Sequence, residues 1–187
     1  MKRGDKKGFT IIEVSLVLAI AGLIFLMIFI ALPALRRTQR DSVRRDDMMK
    51  FIKEVKSFQT NNRGALPTGA EISYTWGDSS ADTSSASWVG FFREYMGDSF
   101  IDPDGVHYNL TVTKCGVGKI DDECSSSSDQ NKGLLYDLSS KSFPNDYKII
   151  VVTQAACSGD KAVGVANPRK IAVLYRLEGA GAYCANT

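Results

Sequence analysis

The sequence predicts an α+β protein in which a long N-terminal α-helix, half of it transmembrane, packs on a roughly four-stranded antiparallel sheet. Three features predict this: an uncharged apolar run over residues 14 to 35, a helix-forming stretch after it, and several β-rich runs in the second half of the chain. At 187 residues, the chain has room for one membrane element and one globular domain of ordinary size.

The net positive charge of the chain comes from its first eight residues. The formal net charge is +2, and the first eight residues, MKRGDKKG, contain four basic side chains and one acid. The remaining residues are therefore close to neutral, so net charge gives no support to a nucleic-acid partner. Because His107 is the only histidine, the chain by itself cannot build a site that needs two imidazoles.

The apolar run from Val14 to Leu35 predicts a membrane-spanning helix. At ~1.5 Å per residue it spans ~33 Å, which is enough for a bilayer core of ~30 Å. The run is longer than the apolar region of a secretory signal, roughly 7 to 15 residues, and residues 31 to 34 match a signal cleavage site poorly. Neither a signal nor an ordinary anchor explains Glu13, since an ionisable side chain in an apolar helix is costly and usually has a partner.

The junction before this run, Gly8-Phe9-Thr10-Ile11-Ile12-Glu13-Val14, resembles the class III leader of type IV pilins and of the related pseudopilins of type II secretion. The resemblance implies the pilin fold. It also implies that a prepilin peptidase cuts between Gly8 and Phe9, that the new Phe9 amine is N-methylated, and that Phe9 and Glu13 act in assembly. The alternative is an ordinary single-span anchor with a chance Gly-Phe pair and a tolerated glutamate.

Pro33 lies inside the predicted helix, about one turn later than the helix-kinking proline of many pilins. Its missing N–H and its ring predict a kink or local melting of the helix there. Beyond the span, helix-forming residues continue to about Asn61, and Asn62-Arg63-Gly64 with Pro67 supplies a stop. Apolar side chains at spacings of three and four predict a face that packs on a sheet: Met48, Phe51, Ile52, Val55 and Phe58.

These elements divide the chain into four parts. Residues 1–8 form a leader peptide, and residues 9–35 form the transmembrane and polymerisation helix. Residues 36–62 are its amphipathic continuation, and residues 63–187 form a globular α+β head domain.

The start of the continuing helix is rich in arginine: Arg36, Arg37, Arg40, Arg44 and Arg45. We interpret these side chains as a solvated face that touches lipid head groups or acidic neighbours in a filament. A stripe that contacts DNA is the alternative, but interspersed aspartates, among them Asp41 and Asp47, weaken it because they would repel phosphate and form local pairs. Both flanks of the span are basic, so the positive-inside rule does not decide its orientation.

The head domain is expected to contain an irregular serine-rich loop, residues 73 to 87, followed by a short amphipathic helix over residues 88 to 96 with aromatic core residues. Four β-rich runs then predict the strands: Val106 to Thr113, Leu134 to Leu138, Tyr147 to Gln154 and Lys170 to Leu177.

The four cysteines all lie in the head: Cys115, Cys124, Cys157 and Cys184. Their even number, their wide spacing and the absence of a C-x-x-C motif favour disulfides over zinc. Three pairings are possible. We prefer Cys115 with Cys124, which closes a short loop, and Cys157 with Cys184, which ties the C-terminal tail to a loop after a strand. Disulfides fit an oxidising compartment and, with the leader junction, an outward-facing head.

The segment Asp102-Pro103-Asp104-Gly105, followed by Tyr108, is similar to a turn of pseudopilins and some pilins. Proline presets such a turn, glycine accepts positive φ, and the aspartates cap backbone donors. Oxygen ligands for calcium are the alternative, from this segment or from Asp121-Asp122-Glu123, but neither stretch has the spacing of an EF-hand loop. We therefore expect no metal ion and no cofactor.

No catalytic constellation is present in the sequence. It has no G-x-S-x-G motif and no second histidine, so we do not expect an enzyme.

The resemblance implies a structural subunit of a type IV pilus-like extracellular filament. Its partners would be identical or related pilin subunits, the prepilin peptidase, the assembly machinery and, before assembly, the cytoplasmic membrane, with the head outside. A type II secretion pseudopilin or a minor or DNA-uptake pilin shares every N-terminal feature. The alternative from another class is a membrane-tethered binding protein that never polymerises.

Overall fold

The computed structural model of the protein describes residues 8–69, 72–115, 147–179 and 181–187. The chain forms two compact units, Met1–Gln39 and Arg40–Thr187. Helix α1, Ile11–Asn61, begins in the first unit and ends in the second.

In the first unit, α1 stays helical at Pro33. Proline has no N–H, so the carbonyl of Phe29, one turn earlier, loses its usual backbone donor. The local melting expected at Pro33 is therefore absent, because the backbone keeps its helical geometry without that one bond. A kink at Pro33 stays a prediction.

In the second unit, α1 buries the apolar face that its residue spacing predicted. The side chains of this face are almost fully buried: Met48, Phe51, Ile52, Val55 and Phe58. The helix ends at Asn61, as expected, and Gly64 closes its last turn by donating its N–H to the carbonyl of Gln59 at 2.6 Å. Gly64 has φ +82°, which explains why a glycine follows the helix.

The described residues form one five-stranded sheet and one two-stranded sheet. In chain order the strands are β1 (Ile72–Tyr74), β2 (Asn109–Lys114), β3 (Lys148–Thr153), β4 (Ala155–Ser158), β5 (Lys161–Gly164), β6 (Ile171–Leu177) and β7 (Gly181–Asn186). The larger sheet has the order β1-β2-β3-β6-β7, and β4 pairs with β5 in the smaller one.

The α+β fold class is confirmed, but the larger sheet is mixed: five strands are described where roughly four were predicted, and one pair is parallel where an antiparallel sheet was expected. β2 and β3 run parallel, with Asn109 opposite Lys148, while the other neighbours are antiparallel. Parallel neighbours need a crossover of about a dozen residues or more. The long connection between Lys114 and Lys148 supplies enough chain for one. The strand predicted at residues 134 to 138 lies outside the described residues.

Three predicted strands are confirmed as β2, β3 and β6, within a few residues of their expected ends. Sequence patterns did not predict β1, which lies at the start of the stretch expected to be irregular. β7 occupies the expected C-terminal tail, and β4 and β5 were also not predicted.

Both faces of the central strands β3 and β6 are buried. On β3, Ile149 and Val151 belong to the core cluster that contains the α1 face, whereas Ile150 and Val152 belong to a second cluster with Ala155 of β4. Successive side chains on a strand point to opposite faces. A sheet covered on both faces explains why these two strands are almost continuously apolar.

The helix expected over residues 88 to 96 is confirmed. It consists of α2, Trp88–Phe91, and a π-helical turn, Phe92–Met96. Its aromatic side chains pack edge-on against α1: the ring centroids of Phe91 lie 5.8 Å from Phe51 and 5.5 Å from Phe58. The aromatic residues of this segment are therefore core residues.

Cys157 of β4 and Cys184 of β7 form a disulfide, with their Cα atoms 5.8 Å apart. This bond ties the small sheet to the edge of the large one. Cys115 is described and buried, but Cys124 lies outside the described residues, so the pairing of Cys115 with Cys124 stays a prediction.

Candidate functional site

The predicted cleavage site lies just before the first helix. Gly8, Phe9 and Thr10 are exposed and non-helical, and α1 begins at Ile11. The Gly8–Phe9 peptide bond is therefore not part of a helical hydrogen-bond ladder, and its two flanking residues are open to a partner.

Thr10 and Glu13 cap the start of α1 reciprocally. The backbone N–H of Glu13 donates to Thr10 Oγ1 at 3.3 Å, and Glu13 Oε2 accepts from the backbone N–H of Thr10 at 3.3 Å and from its hydroxyl at 3.2 Å. This is a capping box, which satisfies two N–H groups that a helix start leaves unpaired. Glu13 therefore has a partner within its own chain, Thr10, which was not predicted from the sequence.

After this cap, α1 exposes a long apolar surface. By its length and composition, α1 contains a segment that is apolar enough to cross a membrane. None of that segment is buried. The exposed side chains include Ile12, Val17, Leu23, Phe25, Phe29 and Leu35. An apolar surface of this extent indicates contact with lipid or with other proteins.

A buried arginine forms a second group of interacting side chains, in the unit that begins at Arg40. Arg44 is only 3% exposed. Its guanidinium donates from Nε and Nη2 to the carboxylate of Asp102, at 2.8 and 3.0 Å, and from Nη2 to Asp104 Oδ2 at 2.8 Å. Its Nη1 donates to Glu178 Oε1 at 2.6 Å. Arg44 therefore joins α1 to the turn before β2 and to the turn after β6.

Neighbouring groups complete this ionic cluster. Asp41 accepts from the backbone N–H groups of Glu178 and Gly179, at 2.9 and 3.0 Å. Arg40 donates two hydrogen bonds to Glu178, at 2.9 and 2.7 Å. Charge-assisted bonds of this kind are stronger than bonds between neutral groups. The cluster fixes this part of α1 on the head.

The pKa shifts in the cluster follow from these contacts. Burial raises the pKa of Asp102, but hydrogen bonds from Arg44, the Asp104 backbone and Tyr175 outweigh it, so the pKa is lowered. Hydrogen bonding by Arg40, reinforced by Arg44, lowers the pKa of Glu178 to about 2. Both carboxylates are therefore charged near neutral pH.

The interpretation of all five arginines as a solvated face is wrong for Arg44, and Arg40 is only half-exposed in its pair with Glu178. Arg36, Arg37 and Arg45 are exposed. The sequence around Arg44 does not indicate that this side chain is buried, because its partners Asp102 and Glu178 lie far away in the sequence.

The predicted turn at residues 102 to 105 is present. Asp102 Oδ1 accepts from the Asp104 N–H at 2.9 Å, and Gly105 has φ +83°. The carboxylates considered as calcium ligands contact Arg44 instead. Within the described ranges, no group of three or more His, Cys, Asp or Glu residues is arranged to hold a metal ion. Asp121, Asp122 and Glu123 lie outside those ranges.

His107 packs as an aromatic residue. Its ring is stacked on Trp76, with centroids 4.5 Å apart and an angle of 7° between the planes. This contact gives the single histidine a packing role.

Comparisons with known proteins identify the N-terminal segment. The family model of the prokaryotic N-terminal methylation motif matches residues 3–29. No curated protein and no solved structure matches the chain. The match covers the predicted cleavage site, the Thr10–Glu13 cap and most of the apolar run, and proteins with this motif are structural and pilin-like. The chain therefore carries the class III N-terminal methylation leader of type IV pilins and pseudopilins, followed by an α+β fold that fits the pilin fold.

Proposed function

We propose that the protein is a structural subunit of a type IV pilus-like extracellular filament. It is made as a membrane-anchored precursor, cut between Gly8 and Phe9 by a prepilin peptidase, N-methylated on Phe9 and assembled through its N-terminal helix. The main support for this proposal is the methylation motif at residues 3–29. The motif runs into α1, whose apolar side chains are exposed there.

The apolar surface of α1 has two successive partners in this account. Before assembly, with the leader in the cytoplasm and the head outside, lipid tails cover it. In the filament, the same surface packs on the N-terminal helices of other subunits. Transfer between these environments does not expose the surface to water, which would be costly for so many apolar side chains.

Glu13 is proposed to set the position of one subunit against the next. Cleavage creates a positive amine at Phe9, four residues before Glu13. A carboxylate at the centre of a membrane helix costs on the order of 2.5 to 3.5 kcal/mol, and less near an interface. The bonds to Thr10 reduce that cost in the separate subunit. In the filament, Glu13 of one subunit pairs with the Phe9 amine of its neighbour. Pairing within one chain is the competing arrangement.

The turn at residues 102 to 105 is similar to one of pseudopilins and of some pilins, so it is compatible with a second candidate, a pseudopilin of type II secretion. A minor or DNA-uptake pilin would share the same N-terminus. Copy number in purified surface filaments separates these candidates from a major pilin. A membrane-tethered protein that never polymerises would keep its leader and be absent from filaments.

Blocking the cut tests the proposal. Gly8→Val is expected to leave a full-length precursor in the membrane and no filament. Gly22→Val is a matched control, because Gly8 and Gly22 both have open space around them, so an added side chain would meet nothing within 4 Å at either site. Gly22→Val is expected to be processed normally. Normal processing of Gly8→Val would contradict the proposed cleavage site.

A further inference from the structure

A cationic cavity lies at the C-terminal end of α1. It has a volume of about 630 Å³ and is lined by α1, the turn at Gly64, the loop before β6 and Thr187. Its lining includes four basic side chains and no Asp or Glu within the described part of the chain. We call it the basic pocket, and its basic residues are Lys56, Arg63, Arg169 and Lys170.

Contacts with α1 and its closing turn hold the loop that carries Arg169 in place. Gln59 Nε2 donates to the carbonyl of Arg169 at 2.8 Å, and Asn167 Oδ1 accepts from the Arg169 N–H at 2.9 Å. The Arg169 guanidinium lies against Gly64, where a Cβ atom would come within 3.2 Å of its Cζ. The basic pocket is therefore assembled by the fold from segments more than 100 residues apart.

The charges of the basic pocket are largely not neutralised. Among the described residues, no carboxylate side chain forms an ion pair with Lys56, Arg63 or Arg169, whereas Arg40 and Arg44 are fully paired with acids. Lys170 Nζ donates to a carboxylate oxygen of Thr187, the last residue described, at 2.8 Å, so this one cation already has an anionic partner. Cations gathered around one cavity repel each other, and a bound anion would relieve that repulsion.

A simpler explanation is that the cations complement the negative end of the α1 dipole. That explanation accounts for basic residues on α1 and just after it, such as Lys56 and Arg63. It does not account for Arg169, which a separate loop brings to the same cavity.

The lining of the cavity favours a small anion over a nucleic acid. Its lining contains no aromatic side chain among the described residues, so it offers no surface on which nucleic-acid bases could stack. A DNA duplex needs an extended track of cations rather than four cations around one opening. Phosphate oxygens suit guanidinium and ammonium donors. The geometry points to the basic pocket as a binding site for a compact phosphate anion, either free or carried by a sugar.

Calorimetric titration of the full chain in non-ionic detergent tests this inference independently of filament assembly. Inorganic pyrophosphate is expected to bind at one site per chain, more weakly as salt is raised. Arg169→Gln and Lys56→Gln are each expected to weaken binding about tenfold, the effect of one charged hydrogen bond. Arg169→Lys, which keeps the charge, should lose less. Arg93→Gln is the control, since Arg93 is exposed and does not line the cavity.

Glucose 6-phosphate and inorganic phosphate serve as two further probes in the same experiment. Tighter binding of glucose 6-phosphate than of inorganic phosphate would support a sugar-borne phosphate, and equal or weaker binding would support a free one. Unfolding curves of each variant verify that the head remains folded. The inference is overturned if pyrophosphate does not bind, if Arg93→Gln weakens binding as much as Arg169→Gln, or if a 20-base-pair DNA duplex binds while pyrophosphate does not.

Discussion

Arg44 and Asp102 form a buried, two-bonded ion pair, with Arg44 Nε 2.8 Å from Asp102 Oδ2 and Nη2 3.0 Å from Oδ1. The hydroxyl of Tyr175 on β6 donates to the same carboxylate at 2.9 Å. One carboxylate thus joins α1, the turn before β2 and the central sheet. Its position makes this pair a main determinant of how α1 is held on the head.

Removal of Arg44 is expected to destabilise the head strongly. Arg44→Met leaves Asp102 buried without its counter-charge, and loss of one partner of a buried pair costs about 3 to 5 kcal/mol. Arg40→Met is the matched control, because Arg40 also binds Glu178 but is much more exposed. It should have only a small effect. Urea unfolding followed by tryptophan fluorescence measures both, and equal losses would contradict a special role for the buried pair.

Acid is expected to weaken the same cluster. The pKa of Glu178 is lowered to about 2 from 4.5, mainly by its hydrogen bonds with Arg40, and the pKa of Asp102 is also lowered. Groups with lowered pKa stabilise the fold above their unfolded pKa and lose that contribution as pH falls through the folded value. The thermal midpoint should therefore drop between about pH 4.5 and pH 2.

Asp47 has the opposite effect on the stability of the fold as pH falls. Burial raises its pKa, so its own contribution to stability increases as pH falls. Glu178→Gln separates the contribution of Glu178 from that of Asp47, because this variant should lose less stability in acid than the parent protein. An unchanged acid response in this variant would show that Glu178 is not responsible.

The Cys157–Cys184 disulfide is expected to stabilise the head by about 2 to 4 kcal/mol, since it closes a loop of moderate length in the unfolded chain. Reduction, or replacement of both cysteines by alanine, should lower the urea midpoint by a corresponding amount. Peptide mapping of the non-reduced protein tests the pairing, and a link between Cys115 and Cys157 would refute it. The same map would show whether Cys115 is joined to Cys124.

Glu13→Ala and Thr10→Val distinguish assembly from capping. Under the proposed function, Glu13→Ala gives a stable, processed, membrane-resident subunit that does not enter filaments when it is the only copy. Thr10→Val removes the capping hydroxyl, at a cost of about 1 kcal/mol, but retains the carboxylate. It should still assemble. If the two variants are equally unable to enter filaments, Glu13 acts through the cap. Loss of the Glu13→Ala protein itself would indicate a role in folding or insertion.

The sequence predicted elements whose signals are local. The apolar face of α1 follows from spacings of three and four, β3 from a run of β-branched residues and β6 from a largely apolar run. The Thr10–Glu13 cap also has a local signal, a Thr-x-x-Glu pattern before an apolar run, although only the glutamate of that pattern was interpreted from the sequence.

Other features depend on contacts that a local pattern does not contain. Burial of Arg44 requires Asp102 and Glu178, which lie 58 and 134 residues further along the chain. β1 is three residues long and is stabilised by pairing with β2, so its own sequence carries little signal. Whether β3 runs parallel or antiparallel to β2 is not indicated by the residues of either strand.

Mass spectrometry of filaments sheared from the cell surface tests the central claim most directly, because it reports the N-terminus and the abundance of the subunit together. The proposal predicts that the chain is present in the filaments and begins at N-methylated Phe9. A chain that retains Met1 to Gly8 and is absent from the filaments would contradict it.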